Sequence, residues 1–457
     1  MSCSDNVDDR LSVLPDDILS QILSRMPSTF AVRTSVLSKR WRYSWMLVTI
    51  IDFDDQYVHR IGGLYSFITF VDRVLELCKT SHVINLFRLR LSEIFPKESR
   101  VLKWIEKAVR LNVRELDLQV HTLRFPVSLF ACQALTKLRL ECRRVYDYDL
   151  SECRVNLPCL KTLEMVGFVN SYADIFKLIS GSPVLESLSF EVRWRPHLDE
   201  TDCIFNIPTL KRLKITSPSL ANRSNRVVLN VPNLEYLFVG GELDSLFVTE
   251  NVSSLVEACV SFSYIRFVQC PLWFNLLKGL SGVKSLSVQH NPSTTPVPNF
   301  PNMKRLELKS CWNRGQILQF LKSSPQLEHL YVEKLEYSDW TKPKRLPVCM
   351  LSKLTAINLS NCNGQKWEMK FLRYILGHAE VLKTLTVTWG NIGPVKEKRL
   401  HMKLPAFPRA SRCCEIHVPG SGSPSTIVKR TGQFELLHLG KEKFVTMNKI
   451  YTFHSLN

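Results

Sequence analysis

A six-residue pattern, apolar-x-x-apolar-x-apolar, recurs along most of the chain. It runs through Ile84-Phe87-Leu89, Val113-Leu116-Leu118, Leu135-Leu138-Leu140, Leu160-Leu163-Met165, Leu185-Leu188-Phe190, Leu210-Leu213-Ile215 and Leu234-Leu237-Val239. It resumes at Val283-Leu286-Val288, Met303-Leu306-Leu308, Leu327-Leu330-Val332, Leu354-Ile357-Leu359 and Leu382-Leu385-Val387, with Leu255-Ala258-Val260 as a degenerate copy in the gap. Copies start about 25 residues apart, the spacing of a solenoid whose every unit supplies one strand and one return segment. The last two apolar positions of a copy lie two apart, so they share one face of a strand and the residue between them takes the other.

Return segments are of two kinds. Ile175-Phe176-Leu178-Ile179, Ile317-Leu318-Phe320-Leu321 and Phe371-Leu372-Ile375-Leu376 have helical spacing, whereas Leu157-Pro158, Ile207-Pro208, Val231-Pro232 and Phe300-Pro301 are short extended entries. Helix alternating with strand predicts a parallel sheet, and mixed returns predict an irregular, curved solenoid in an α/β chain. The concave face should then carry a central row of Arg88, Asp117, Arg139, Glu164, Ser189, Lys214, Phe238, Ser287, Glu307, Tyr331, Asn358 and Thr386. Its aromatics Phe238 and Tyr331, with Tyr236 two residues from Phe238, stand where water is expected. With the charged Arg139, Glu164, Lys214 and Glu307 they are the candidate contacts for a bound partner.

Ahead of the repeats, Pro15-Asp16-Asp17 suits a helix start, and Ile18, Leu19, Ile22, Leu23 and Met26 form one stripe that Pro27 closes. A second helix is expected with Ser28 or Thr29 as its cap, and a third capped by Ser38 with Trp41 and Trp45 on one face. Three short helices bury too little to stand alone, so a partner or the following domain must cover part of them.

The run Leu14-Pro15-Asp16-Asp17-Ile18-Leu19, Ile22-Leu23-Ser24-Arg25-Met26-Pro27 and Val32 to Arg42 resembles an F-box over residues 8–50, although Ser28-Thr29-Phe30 departs from the usual Lys-Asp opening of the second helix. The period-25 array resembles leucine-rich repeats over 84–345. Residues 346–418, through Leu354 to Leu359, Phe371 to Leu376, Ala379 to Val387 and Phe407-Pro408-Arg409-Ala410-Ser411, are similar to the FBD region of plant-type F-box proteins. Residues 51–83 are expected to be linker and N-terminal cap, and 419–457 a flexible basic tail. The resemblance implies docking onto a Skp-family adaptor, and through it a cullin, by way of Leu14, Pro15, Ile18, Leu19, Ile22, Leu23, Val36, Leu37 and Trp41. The repeats would hold a protein substrate for ubiquitylation; the alternative is a repeat-based interaction protein or small-ligand co-receptor without ligase recruitment.

A net charge of +18 raises nucleic acid as a partner, but no arginine-rich arm or zinc-finger spacing accompanies it, so no nucleic-acid reader is expected. Met1 to Arg10 is acidic and polar where a signal peptide would be basic then apolar, and no apolar run approaches the roughly 20 residues of a membrane span. A cytoplasmic or nuclear location is therefore expected. The 14 cysteines include no C-x-x-C pair, and Cys132, Cys142, Cys153 and Cys159 are spaced too loosely for a metal; most are expected to be buried thiols. None of the motifs of nucleophilic, zinc-dependent or phosphoryl-transfer catalysis occurs, so neither enzyme activity nor a cofactor is expected.

Overall fold

In a computed structural model the described residues are 14–56, 63–78, 84–92, 96–121, 125–142, 153–168, 172–192, 202–217, 226–243, 245–262, 265, 269–290, 295–338 and 345–419. The expected flexible tail lies outside them. The strands are β1 (Ile50–Asp54), β2 (Leu86–Arg90), β3 (Glu115–Val120), β4 (Lys137–Cys142), β5 (Thr162–Phe168), β6 (Ser187–Val192), β7 (Cys203–Asn206), β8 (Arg212–Ser217) and β9 (Arg226–Asn230). They continue with β10 (Tyr236–Gly241), β11 (Leu246–Asn251), β12 (Glu257–Phe262), β13 (Ser285–Val288), β14 (Arg305–Asn313), β15 (His329–Glu336), β16 (Ala356–Cys362), β17 (Thr384–Trp389) and β18 (Glu415–His417).

Fifteen of these form one parallel sheet in chain order, while β7, β9 and β11 stand apart in a three-stranded sheet. Every copy of the pattern, including the degenerate one at Leu255, contributes a strand, and its apolar positions are buried. Equivalent positions align strand to strand, as in Leu237 with Leu213 and Ala258, so each inward residue stacks on its neighbours and the core is continuous.

Two strands extend the sheet beyond the expected array. β1 falls at the start of the segment expected to be linker and N-terminal cap, and Val48, Ile51 and Phe53 repeat the same pattern and are buried. At the other end β18 pairs with β17. The small sheet replaces return helices in the middle of the solenoid: Phe205 stacks on Phe190 at 5.7 Å, and the gap between the sheets is only ≈ 20 Å³. Such a space holds about one water.

The helices are α1 (Asp16–Leu23), α2 (Ser28–Arg33), α3 (Trp41–Ser44), α4 (Leu64–Leu77), α5 (Glu98–Arg110), α6 (Tyr172–Ser180), α7 (Cys270–Gly279), α8 (Arg314–Ser323), α9 (Val348–Ser352), α10 (Lys366–His378) and α11 (Pro394–Lys403). The three expected return helices are α6, α8 and α10. After β16 the chain turns at Gly364, whose φ of +64° is left-handed and whose missing side chain leaves room for Leu400. Gly364→Ala should therefore lower stability by about 1–2 kcal/mol, read as a fall in the urea midpoint at unchanged slope.

The N-terminal helices differ from expectation in detail. Pro27 occupies the N-cap position of α2, and Ser28 is its first helical residue. Instead of capping, the Ser28 hydroxyl accepts the Asp52 backbone N–H at 2.8 Å, and the Ser24 hydroxyl accepts that of Thr49 at 3.0 Å. Ser20 donates to the Leu47 carbonyl at 2.6 Å. The third helix is a single turn, with Ser38 accepting the Trp41 N–H at 3.4 Å. Leu19, Leu23, Ala31, Trp41 and Trp45 all join the same core as β1 and the repeats. The following domain thus covers the inner face of the helices.

Candidate functional site

Two surfaces carry function-bearing residues: the outer face of the N-terminal helices and the open face of the sheet. On α1 the i, i+4 rule splits the stripe into two rows. Leu19 and Leu23 are 0% and 1% exposed, whereas Ile18 and Ile22 are 39% and 36% exposed. Val36 and Leu37, in the turn before α3, are more open still at 86% and 64%. Leu14 is half-buried and Pro15 exposed, and the Arg40 guanidinium ties this entry to the third helix by donating to the Leu14 carbonyl and to Asp16 Oδ1 at 2.7 Å.

Leu19, Leu23 and Trp41 are thus removed from the docking set that the sequence suggested. Their side chains are spent on joining the knob to the solenoid, because a 3.6-residue repeat places only alternate members of the stripe outward. Leu14, Pro15, Ile18, Ile22, Val36 and Leu37 keep accessible surface. Met26, the last member of the stripe, and Tyr43 are exposed as well, by 38% and 61%.

The open face of the sheet divides along its length. Its first five strands carry alternating charges in register, Asp52, Arg88, Asp117, Arg139 and Glu164. Arg88 bridges Asp52 at 3.2 Å and Asp117 at 2.9 Å, and Arg139 bridges Asp117 at 3.0 Å, Glu141 at 2.8 Å and Glu164 at 3.5 Å. Burial acts to raise the Asp117 carboxyl, but hydrogen bonds from Arg88 and Arg139 and their charges outweigh it and hold the group below the usual carboxylate range. At Asp52 burial prevails over the attraction of Arg88 and Arg90 and pushes the carboxyl up. The candidates Arg139 and Glu164 belong to this ladder, and the carboxylates Asp52 and Asp54 extend it onto β1.

Midway, cations lie over rings. The Arg212 guanidinium sits 4.5 Å from the Tyr236 ring centre and the Lys214 ammonium 5.3 Å from that of Phe238, so the candidates Lys214, Tyr236 and Phe238 form one amphipathic cluster on β8 and β10. Phe238 leans over Gly240, where a Cβ would meet its ring at 2.8 Å. The remaining candidates, Glu307 on β14 and Tyr331 on β15, lie six and seven strands from the ladder's end at Glu164, and Tyr331 lines a shallow hollow of ≈ 250 Å³ on β14 to β17. The structure therefore brings the seven candidates onto one face but into three separate groups.

Among the described residues no group of His, Cys, Asp and Glu is placed to hold a metal, and no helix is long and apolar enough to cross a membrane. The cysteines are less buried than expected, with Cys159, Cys311 and Cys413 exposed. Burial pushes the Cys349 and Cys362 thiols up to about 12, away from the thiolate form a nucleophile requires.

A helical knob with apolar side chains open to solvent, continuous with a parallel-strand solenoid bearing a polar face, defines a repeat-solenoid adaptor. Comparison with known proteins agrees. The F-box domain matches residues 11–50, the repeats described as "FBD-associated F-box protein At5g56370, LRR repeats" match 101–258, and FBD matches 342–387. FBD-associated F-box protein At1g66310 of Arabidopsis thaliana is 30% identical over 91% of this chain and 97% of its own length. F-box/FBD/LRR-repeat protein At4g26340 of the same plant is 30% identical over 89% and 99%. The chain belongs to the F-box/FBD/LRR-repeat family. Its F-box and repeat domains support a substrate-adaptor role, and the family names point to an adaptor rather than an enzyme.

Proposed function

We propose that this chain is the substrate-recognition subunit of a Skp–cullin–F-box ubiquitin ligase, working in the cytoplasm or nucleus. A Skp-type adaptor docks on Leu14, Pro15, Ile18, Ile22, Val36 and Leu37 and connects the chain to a cullin, while the open face of the sheet holds a protein substrate. The chain itself supplies proximity: it raises the local concentration of substrate lysines near the charged carrier and makes no bond. The observation that carries this reading is the exposure of Val36 and Leu37, 86% and 64%, on a knob whose opposite side is sealed into the solenoid. Large apolar side chains held open in this way favour a protein partner.

Affinity capture of the full chain from cells with the proteasome blocked tests it. Co-recovery of a Skp-type adaptor and a cullin, together with ubiquitylated proteins that disappear when the adaptor is depleted, is the expected outcome. Failure to recover the adaptor under conditions that capture it on another F-box protein would overturn the assignment.

A further inference from the structure

The hollow on β14 to β17 has a chemistry distinct from the rest of the open face. Its floor is Ala356, the shortest side chain in its row, with His329 and Thr384 in register on either side and Arg305 one strand further. Parallel strands lie about 4.8 Å apart, so His329 and Thr384 frame an opening roughly 9–10 Å wide at the backbone. Tyr331, Asn358 and Thr386 line the next row.

The lining is rich in N–H and O–H donors and contains no carboxylate. Of the nearest carboxylates on this face Glu307 and Glu333 are already engaged, and Glu415 stands beside an imidazole. Glu307 accepts from Arg305 Nε at 3.2 Å and lies 4.0 Å from Lys309, Glu415 lies 3.5 Å from His417, and Glu333 accepts the Ser310 N–H at 2.7 Å. Arg305 commits only its Nε to Glu307, and among the described residues no second carboxylate pairs with it. Asn358 uses its oxygen to accept from Ser360 at 3.4 Å, which leaves its amide N–H groups for a ligand. In the N-terminal ladder, by contrast, the guanidinium groups of Arg88 and Arg139 are each already paired with two or more carboxylates.

We infer that this hollow seats an acidic side chain of the substrate, an Asp or Glu on an extended segment, with its carboxylate above Ala356 and within reach of Arg305, His329, Asn358 and the hydroxyls of Tyr331, Thr384 and Thr386. The inference rests on the proposed function in taking the occupant to be a protein. A charge-assisted contact to Arg fixes the carboxylate's orientation, and the hydroxyls complete its remaining lone pairs.

The test uses the full chain and three fluorescein-labelled ten-residue peptides that differ only at two central positions, Glu, Gln or phosphoserine, with binding read by anisotropy. The Glu peptide should bind about tenfold tighter than the Gln peptide, a difference near 1.4 kcal/mol. Ala356→Leu, which fills the hollow from a half-exposed position, and Arg305→Gln should each abolish that preference while thermal unfolding is unchanged. Equal binding of Glu and Gln peptides, or a preference that survives both variants, overturns the inference; so does selective binding of the phosphoserine peptide alone, which would make the hollow a phosphate reader. Adaptor capture is measured on the same preparations. Loss of capture with the Glu preference intact would sink the ligase reading and leave the hollow's specificity standing.

Discussion

Val36→Asp and Leu37→Asp should each weaken capture of a Skp-type adaptor by about 100-fold or more and leave the thermal unfolding midpoint nearly unchanged. Truncating or charging an apolar anchor at the centre of an interface typically costs about 2–4 kcal/mol of binding. Surface substitutions that break no packing fall within about 0.5 kcal/mol of stability. Both side chains are open to solvent, so the folded chain loses little when they change. Leu23→Ala should behave differently. Its side chain is 1% exposed inside the core shared with β1, and a cavity there costs about 2–5 kcal/mol of stability. Adaptor pull-down paired with calorimetry separates the two outcomes. If Val36→Asp and Leu37→Asp leave capture intact, the exposed turn is not the docking surface.

The charge ladder predicts opposite results for two carboxylates that share one arginine. Asp117→Asn should destabilise the chain by about 2 kcal/mol, because it withdraws the negative charge between the partly buried Arg88 and Arg139. Asp52→Asn should be neutral or stabilising. Asp52 pairs with Arg88 at 3.2 Å, and its Oδ1 is buried without a hydrogen-bond partner among the described residues. The signs follow from the pKa directions. Asp117 is depressed on folding, so its contribution is complete above the unfolded value of about 3.9 and is lost as pH falls through the lower folded value. Asp52 is raised, so its penalty grows as pH climbs from about 3.9 through the higher folded value. Urea titrations across the acid range should show the Asp117→Asn deficit shrinking as pH falls, while any gain from Asp52→Asn disappears there. Equal effects of the two substitutions at neutral pH would contradict the ladder.

Most of the sheet was legible from the repeated pattern because burial in a solenoid is strictly periodic: each copy must present the same two inward positions to its neighbours. Val48-Ile51-Phe53 carries that signal as well, but Val48 falls within the F-box resemblance and the residues from 51 within the expected linker and N-terminal cap, so the copy is divided between two segments. The strands of the small sheet were harder to see. Cys203 and Phe205, Val227 and Leu229, and Phe247 each alternate over too few residues to separate a strand from a Pro-containing return. On the knob, helical spacing identified the right stripe but not which row of it faces the coil. That choice depends on what packs against it, and the Ser24 and Ser28 hydroxyls that fix the contact look like ordinary helix caps in sequence. The hollow around Ala356 escaped notice because a missing side chain leaves no motif.

Since the backbone N–H groups of Asp52 and Thr49 donate to the Ser28 and Ser24 hydroxyls of the knob, and these residues belong to, or border, the first strand, the knob and the sheet are joined without a swivel between them. Under the proposed function, a cargo gripped by the sheet would be presented as by a ruler and not by a tether, and the lysines modified would be those at a set distance from the grip.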